Sequence, residues 1–155
     1  MRSAHRITAI LLSTLTFAIG TTSALAHGDA THFDSVKGRH GGQLGVAGVY
    51  GFELTIEKEA KAAVDNPVVV YVTNHDGQAV STAGATGTAT LLSGKEKTVV
   101  TLTPDGDNRL KGMGKYASNP TLKAIVAITL SGKAMEQARF TPLAAPSDGH
   151  TDHKH

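Results

Sequence analysis

The sequence contains no cysteine and no tryptophan, and only 5% of its residues are aromatic. Without cysteine, the chain can form neither a disulfide framework nor a thiolate metal site, and it has no cysteine nucleophile. No apolar run reaches the ~20 residues that a membrane-spanning helix needs. Stability must therefore come from packing, and any metal site must form without a thiolate ligand.

Residues 1–26 have the features of a secretory signal peptide. Two arginines lie among the first six residues, an apolar stretch covers 7–19, and Ala24 and Ala26 supply an A-x-A cleavage pattern. We predict cleavage after Ala26, export to a periplasm, and no membrane span after cleavage. An uncleaved N-terminal anchor is the alternative interpretation.

The mature chain is close to neutral. The signal peptide takes two arginines with it, which leaves 13 Lys and Arg against 13 Asp and Glu in 129 residues. With no basic stripe and few aromatic side chains, the sequence gives no indication of a nucleic-acid partner.

Composition divides the mature chain into three parts. Residues 27–42 are rich in glycine and histidine and have no apolar periodicity, residues 43–141 carry the apolar pattern, and residues 142–155 are rich in proline, aspartate and histidine. We interpret 27–42 as a flexible N-terminal arm, 43–141 as the folded domain and 142–155 as a disordered tail.

The domain shows the period-two alternation of β-strands. About seven candidate strands follow one another at roughly ten-residue spacing, which is typical of an all-β sandwich. The links are too short for parallel crossovers, so we predict a single antiparallel β-sandwich of the immunoglobulin-like or cupredoxin-like kind. Only 57–63 has a helical composition, and Pro67 would stop such a helix. The predicted strands are 50–57, 68–74, 85–92, 97–103, 109–116, 122–130 and 134–141.

Histidines form the main functional signal. Seven of the 129 mature residues are histidine, and six of these lie in the two terminal segments. Clustering at chain ends favours a role as metal ligands over a structural role, and short histidine-rich tracts are typical of metal binding. The candidate ligands are His27, His32, His40, His75, His150, His153 and His155.

His27 would become the first residue after cleavage and offer two donors, its α-amine and its imidazole. An α-amine has a pKa of ~8, so its deprotonation costs little near neutral pH. Such a chelate, completed by His32 or His40, gives the nitrogen-rich tetragonal geometry that suits Cu(II) or Ni(II). The alternative is that His27 lies at the cleavage site by chance.

The other histidines have simpler alternatives. His32 and His40 are ligands or solvated loop residues, and Gly41 and Gly42 form a bend before the first strand. His75 belongs to a turn, because Asp-Gly follows it after a strand. The tail histidines 150, 153 and 155 would bind metal unselectively or only make the tail soluble.

Residues 40–115 resemble small exported proteins encoded near heavy-metal (RND) efflux systems. The matching elements are "HGG", then "Y-x-F-E-L", "V-T-x-H-D-G-x-x-V", "A-G-A-T-G-T" and "L-T-P-x-G-x-N-R-L-x-G". The chain is also loosely similar to FixH/YtkA-like β-sandwich domains, and its N-terminal histidine resembles that of copper-resistance sandwich proteins. The resemblance implies a periplasmic role in copper, zinc, nickel or cobalt handling, a metal-efflux component as partner, and His40 and His75 as matching positions.

These observations favour a periplasmic protein that buffers or delivers a divalent transition metal, copper first and then zinc, nickel or cobalt. Imidazoles bind metal only when neutral, so affinity should fall as the pH drops through ~6.5 and be lost below about 5.5. The alternative is a non-metal interaction or structural module that docks a partner by strand addition. We predict no enzymatic activity, because no nucleophile or metalloprotease motif is present.

Overall fold

Alternating apolar and polar residues become eight antiparallel strands in the computed structural model, which describes residues 37–145. The all-β antiparallel sandwich predicted from the sequence is confirmed. No helix within 37–145 is long and apolar enough to cross a membrane. The strands are β1 (Gln43–Ala47), β2 (Tyr50–Ile56), β3 (Asp65–Asn74), β4 (Thr86–Ser93), β5 (Glu96–Pro104), β6 (Arg109–Lys115), β7 (Lys123–Thr129) and β8 (Met135–Phe140).

The sheet runs in the order β1-β2-β3-β6-β5-β4-β7-β8 and almost closes on itself. Its two end strands approach one another, because the Thr141 backbone N–H donates to Oε1 of Gln43 at 2.8 Å. Gly45 allows this closeness, since a Cβ at that position would lie 2.8 Å from the ring of Phe140. The result is a nearly barrel-like sandwich whose two end strands lie close together.

The core lies between the two halves of the sheet and is made of the inward residues of every strand. In β3, Val68, Val70 and Val72 are fully buried while the residues between them are not. Each such side chain contributes about 1.5–3 kcal/mol through burial. The other large buried side chains are Phe52, Leu54, Leu91, Val100, Leu102, Leu110, Tyr116, Leu122, Val126, Ile128 and Phe140.

β1 is one strand more than the seven expected from the sequence. It is short, and Gly45 in its centre interrupts the alternation that would have marked it. A tight turn at Gly48, whose φ is +58°, joins it to β2. Register pairing along the whole of β1, from Gln43 opposite Leu54 to Ala47 opposite Tyr50, holds it in the sheet.

The segment before β1 is also structured from Lys37 onward. Lys37 forms an isolated β-bridge with Gln43, and the Gly38 N–H donates to the carbonyl of Gly42 at 2.8 Å. This turn folds back over β2, so the folded part of the chain includes 37–42, which the sequence assigned to the arm. The rest of the predicted arm, 27–36, and the tail from 146 onward lie outside the described residues, as does the predicted signal peptide.

The stretch 57–63, whose composition tempted a helical interpretation, forms turns instead. The buried side chain of Asn66 organises the end of this connection. Its Nδ2 group donates to the carbonyls of Lys61, Val64 and Tyr116 at 2.9–3.2 Å. These bonds satisfy backbone groups in an irregular segment, which a helix would have satisfied internally.

Candidate functional site

The site begins with a row of side chains on the outer face of the sheet. Cross-strand register places Leu44 of β1 beside Glu53 of β2, Glu53 beside Tyr71 of β3, and Tyr71 beside Arg109 of β6. Phe52 and the residue after Glu53 are buried in the core, so alternation directs Glu53 to the opposite face. Four strands therefore align a leucine, a carboxylate, a phenol and a guanidinium.

Glu53 is only 4% exposed although it lies on the outer face, because the 37–42 turn covers it. Its Oε1 accepts hydrogen bonds from the backbone N–H groups of His40 at 2.7 Å and Gly42 at 3.0 Å. Its Oε2 lies 2.8 Å from Nδ1 of His40. A buried carboxylate requires such partners, and here a turn of the backbone and one imidazole provide them.

Gly38 makes this arrangement possible. A Cβ at Gly38 would overlap the carboxyl group of Glu53. The turn can therefore lie directly on the carboxylate only while this position lacks a side chain.

The imidazole of His40 is held from two directions. Its ring stacks on that of Tyr71, with centroids 3.5 Å apart and planes 3° from parallel. Because a carboxylate accepts, the bond to Glu53 places a proton on Nδ1, and in the neutral imidazole this leaves a lone pair on Nε2. The side chain is 43% exposed, and within the described residues no hydrogen bond to Nε2 is found. His40 thus presents one oriented nitrogen donor.

Arg109 lies on the far side of Tyr71. Its Nε donates to the Asp105 carbonyl at 2.6 Å, and its Nη2 lies 2.9 Å from Oδ2 of Asp105. A hydrogen bond with Tyr71, and then the charge of Asp105, raise the pKa of Arg109 above its ordinary value. Tyr71 thus lies between the imidazole of His40, on which it stacks, and Arg109, its register partner on β6.

A cavity of about 470 Å³ opens beside this row. The 37–40 segment, β1, the β1–β2 turn, β2 and the loop after β3 form its walls. Much of the wall is apolar, and Val46 remains 54% exposed there. The polar groups at the cavity include His40, Glu53, Arg39 and His75.

His75 lies in the turn after β3, as the Asp-Gly signal predicted. The Oδ1 of Asn74 accepts hydrogen bonds from the N–H groups of Asp76 and Gln78 and so closes the turn. The His75 side chain is 80% exposed, and its Nε2 lies 3.1 Å from Oδ1 of Asp76. The turn thus places an exposed imidazole at the cavity wall.

The structure brings His40 and His75 to one cavity. The other candidate ligands, His27, His32, His150, His153 and His155, lie outside the described residues. Within 37–145, no three His, Cys, Asp or Glu side chains are grouped closely enough to hold a metal ion. The described part of the chain therefore offers two imidazoles and no complete ligand set.

Sequence reasoning missed Glu53, Tyr71 and Arg109. Each occupies an ordinary polar position on an outward strand face, and the alternation alone cannot show that the 37–42 turn covers that face. The three residues are neighbours only because their strands pair side by side. One of these pairs, β3 with β6, joins strands that are not consecutive in the sequence. No family model, curated protein or solved structure matches the chain, so the functional proposal rests on its own residues and geometry.

Proposed function

We propose that the protein binds a divalent transition metal, with copper preferred, and buffers or delivers it in the periplasm. The observation that carries the proposal is the Glu53–His40 pair, in which the carboxylate occupies Nδ1 and leaves Nε2 available. Metal-binding histidines commonly donate their second ring N–H to a carboxylate, which orients the ring and makes the donor nitrogen more basic. The stack on Tyr71 limits the ring further.

His75 is the second donor at the same cavity. The candidate ligand His32 precedes Lys37 by five positions in the sequence and lies outside the described residues. Imidazole nitrogens suit copper, nickel and zinc, and affinity for such ligands peaks at copper in the first-row series. With nitrogen and oxygen donors only, Cu(II) is the cargo that this donor set favours.

The alternative, docking of a partner by strand addition, requires an accessible sheet edge. Here β1 and β8 approach each other through Gln43 and Thr141 and through Gly45 and Phe140. Contacts between β1 and β8 hinder the addition of a further strand at these edges, and this favours metal binding over strand addition. Transfer of the metal to an efflux component would then proceed from the exposed imidazoles at the cavity.

The test is calorimetric titration of the mature chain with Cu(II), Zn(II), Ni(II) and Co(II) at neutral pH. We expect His40→Gln, whose amide can still donate to Glu53, to weaken Cu(II) binding about tenfold or more. We also expect His75→Gln to weaken binding, while Lys95→Gln, at an exposed turn away from the cavity, should leave it unchanged. The unfolding midpoint of each variant confirms that the fold is retained. If none of the four metals produces heat, the proposed function is wrong.

A further inference from the structure

The cavity is larger than a metal ion requires. Its volume is about 470 Å³, whereas six water molecules around a hydrated ion occupy roughly 180 Å³. Small-molecule sites in proteins span ~300–1,000 Å³ and are mainly apolar with a few oriented polar groups. Building on the proposed function, we propose that the site takes the metal as a complex with a small, anionic organic chelator.

The cavity walls support an organic ligand. Leu44, Val46, Val49 and Tyr50 line the β1–β2 hairpin side of the cavity. Val46 and Val49 are exposed, and such side chains are more stable against an apolar body than against water. A hydrated ion would gain nothing from these walls, while a ring or carbon chain would bury them.

The charges at the cavity select an anion. Lys37 and Arg39 line it, and in the described part of the chain neither forms an ion pair. Glu53, the carboxylate among the lining residues, is already engaged by His40 and two backbone N–H groups. Two further carboxylates lie next to lining residues: Asp76 pairs with His75, and Glu136 lies close to Gly48. Arg39 extends towards the turn after β3, where its Nη2 would be 3.9 Å from a Cβ at Gly77. A guanidinium placed there matches a carboxylate of the ligand.

The donor count leads to the same conclusion. The described residues supply two imidazoles at the cavity, His40 and His75, while divalent transition metals take four or more ligands. A chelator that already fills several coordination positions leaves one or two open ones. The free Nε2 of His40 would occupy an open position on the metal while the carboxylates of the chelator face Arg39.

Dipicolinate (pyridine-2,6-dicarboxylate) is a suitable probe, because this flat aromatic dianion holds Cu(II) through three atoms and leaves coordination positions open. The 1:1 complex is neutral overall, but its outer carboxylate oxygens remain available to the guanidinium of Arg39. Isophthalate has the shape and charge of free dipicolinate but lacks the ring nitrogen, so it serves as the non-chelating match. The mature protein is titrated in a calorimeter with Cu–dipicolinate, with isophthalate and with Cu(II) alone. We expect one Cu–dipicolinate per chain and at least tenfold weaker binding of isophthalate.

Two substitutions locate the binding. Val46→Trp should fill the cavity and weaken Cu–dipicolinate at least tenfold, whereas Val99→Trp, at a 59% exposed position of β5 away from the cavity, should not. Arg39→Gln should weaken it similarly, and the matched Arg139→Gln on β8 should not.

Three outcomes would overturn the proposal. Equal effects of the cavity and control variants would show that the complex binds elsewhere. Equal affinity for isophthalate would show that the cavity takes carboxylates without metal. If the protein binds Cu(II) alone but not Cu–dipicolinate, the chelate proposal is wrong and the proposed function stands. If it binds neither Cu(II) nor Cu–dipicolinate, the proposed function is wrong as well.

Discussion

At the scale of single residues, the site depends on a carboxylate that the fold has covered. Glu53 occupies a position where strand alternation would leave it in water, and the 37–42 turn removes that water. Burial of an ionised group costs several kcal/mol unless it is paired. The bonds to Glu53 therefore hold the turn and the imidazole of His40 in place, and the same bonds stabilise the buried carboxylate.

Glu53→Gln tests this dependence. An amide cannot accept at both ends, so one donor among the N–H groups of His40 and Gly42 and the His40 ring loses its acceptor. We expect a loss of about 1–3 kcal/mol in the free energy of unfolding, measured by urea denaturation at neutral pH. Glu96→Gln, at an exposed position of β5, is the control and should change the free energy by less than about 0.5 kcal/mol. Equal losses in the two variants would show that the buried bonds contribute nothing.

At the scale of elements, Tyr116 links the end of β6 to the connection between β2 and β3. Its hydroxyl donates to the Pro67 carbonyl at 2.7 Å and accepts from the Glu57 N–H at 3.0 Å. Burial raises the pKa of Tyr116 above its ordinary value of 10.0, the bond from Glu57 N–H lowers it, and the charge of Glu57 raises it further. The neutral hydroxyl is thus part of the native structure.

The raised pKa gives a definite alkaline behaviour. The folded state holds this proton more tightly than the unfolded state, so its contribution to stability is complete below pH ~10 and falls as the pH rises through the folded pKa. Tyr116→Phe leaves the Glu57 N–H and the Pro67 carbonyl without this partner, so it should cost about 1–3 kcal/mol at pH 7. Because phenylalanine does not ionise, the variant should also lose stability less steeply than the wild type between pH 9 and 11. Parallel pH curves from urea denaturation would contradict the assignment.

Strands with a clear alternation of apolar and polar residues could be predicted from the sequence. The β-branched run in β3 and the alternation in β2 predict these strands, because their inward positions must be apolar to build the core. β1 was not predicted, because Gly45 interrupts its alternation. Glycine is needed there because of the contact with Phe140, a residue 95 positions later in the sequence. Of the site, His40 and His75 were found from composition, whereas Glu53 was not, since its burial results from tertiary contacts.

At the scale of the whole molecule, metal binding should stabilise the fold if the ligands belong to it. A ligand that binds only the folded state, at a hundred times its dissociation constant, adds ~2.7 kcal/mol. A domain of this size gains roughly 4 °C in its unfolding midpoint per kcal/mol, so such an increment raises the midpoint by about 10 °C. We expect scanning calorimetry to show this rise with Cu(II) and its reversal with excess EDTA. Binding without any shift would place the metal on the terminal segments alone.

The hydrogen bond between Gln43 and Thr141 joins the start of the first strand to the residue that follows the last strand. The two histidine-bearing termini are therefore attached to neighbouring points, although more than a hundred positions separate them in sequence. Two ligand-bearing segments joined to adjacent points of one scaffold have a high effective concentration for each other, because the second binding event is intramolecular. Under the proposed function, donors on the two sides of this hydrogen bond would bind one ion more tightly than either set would alone.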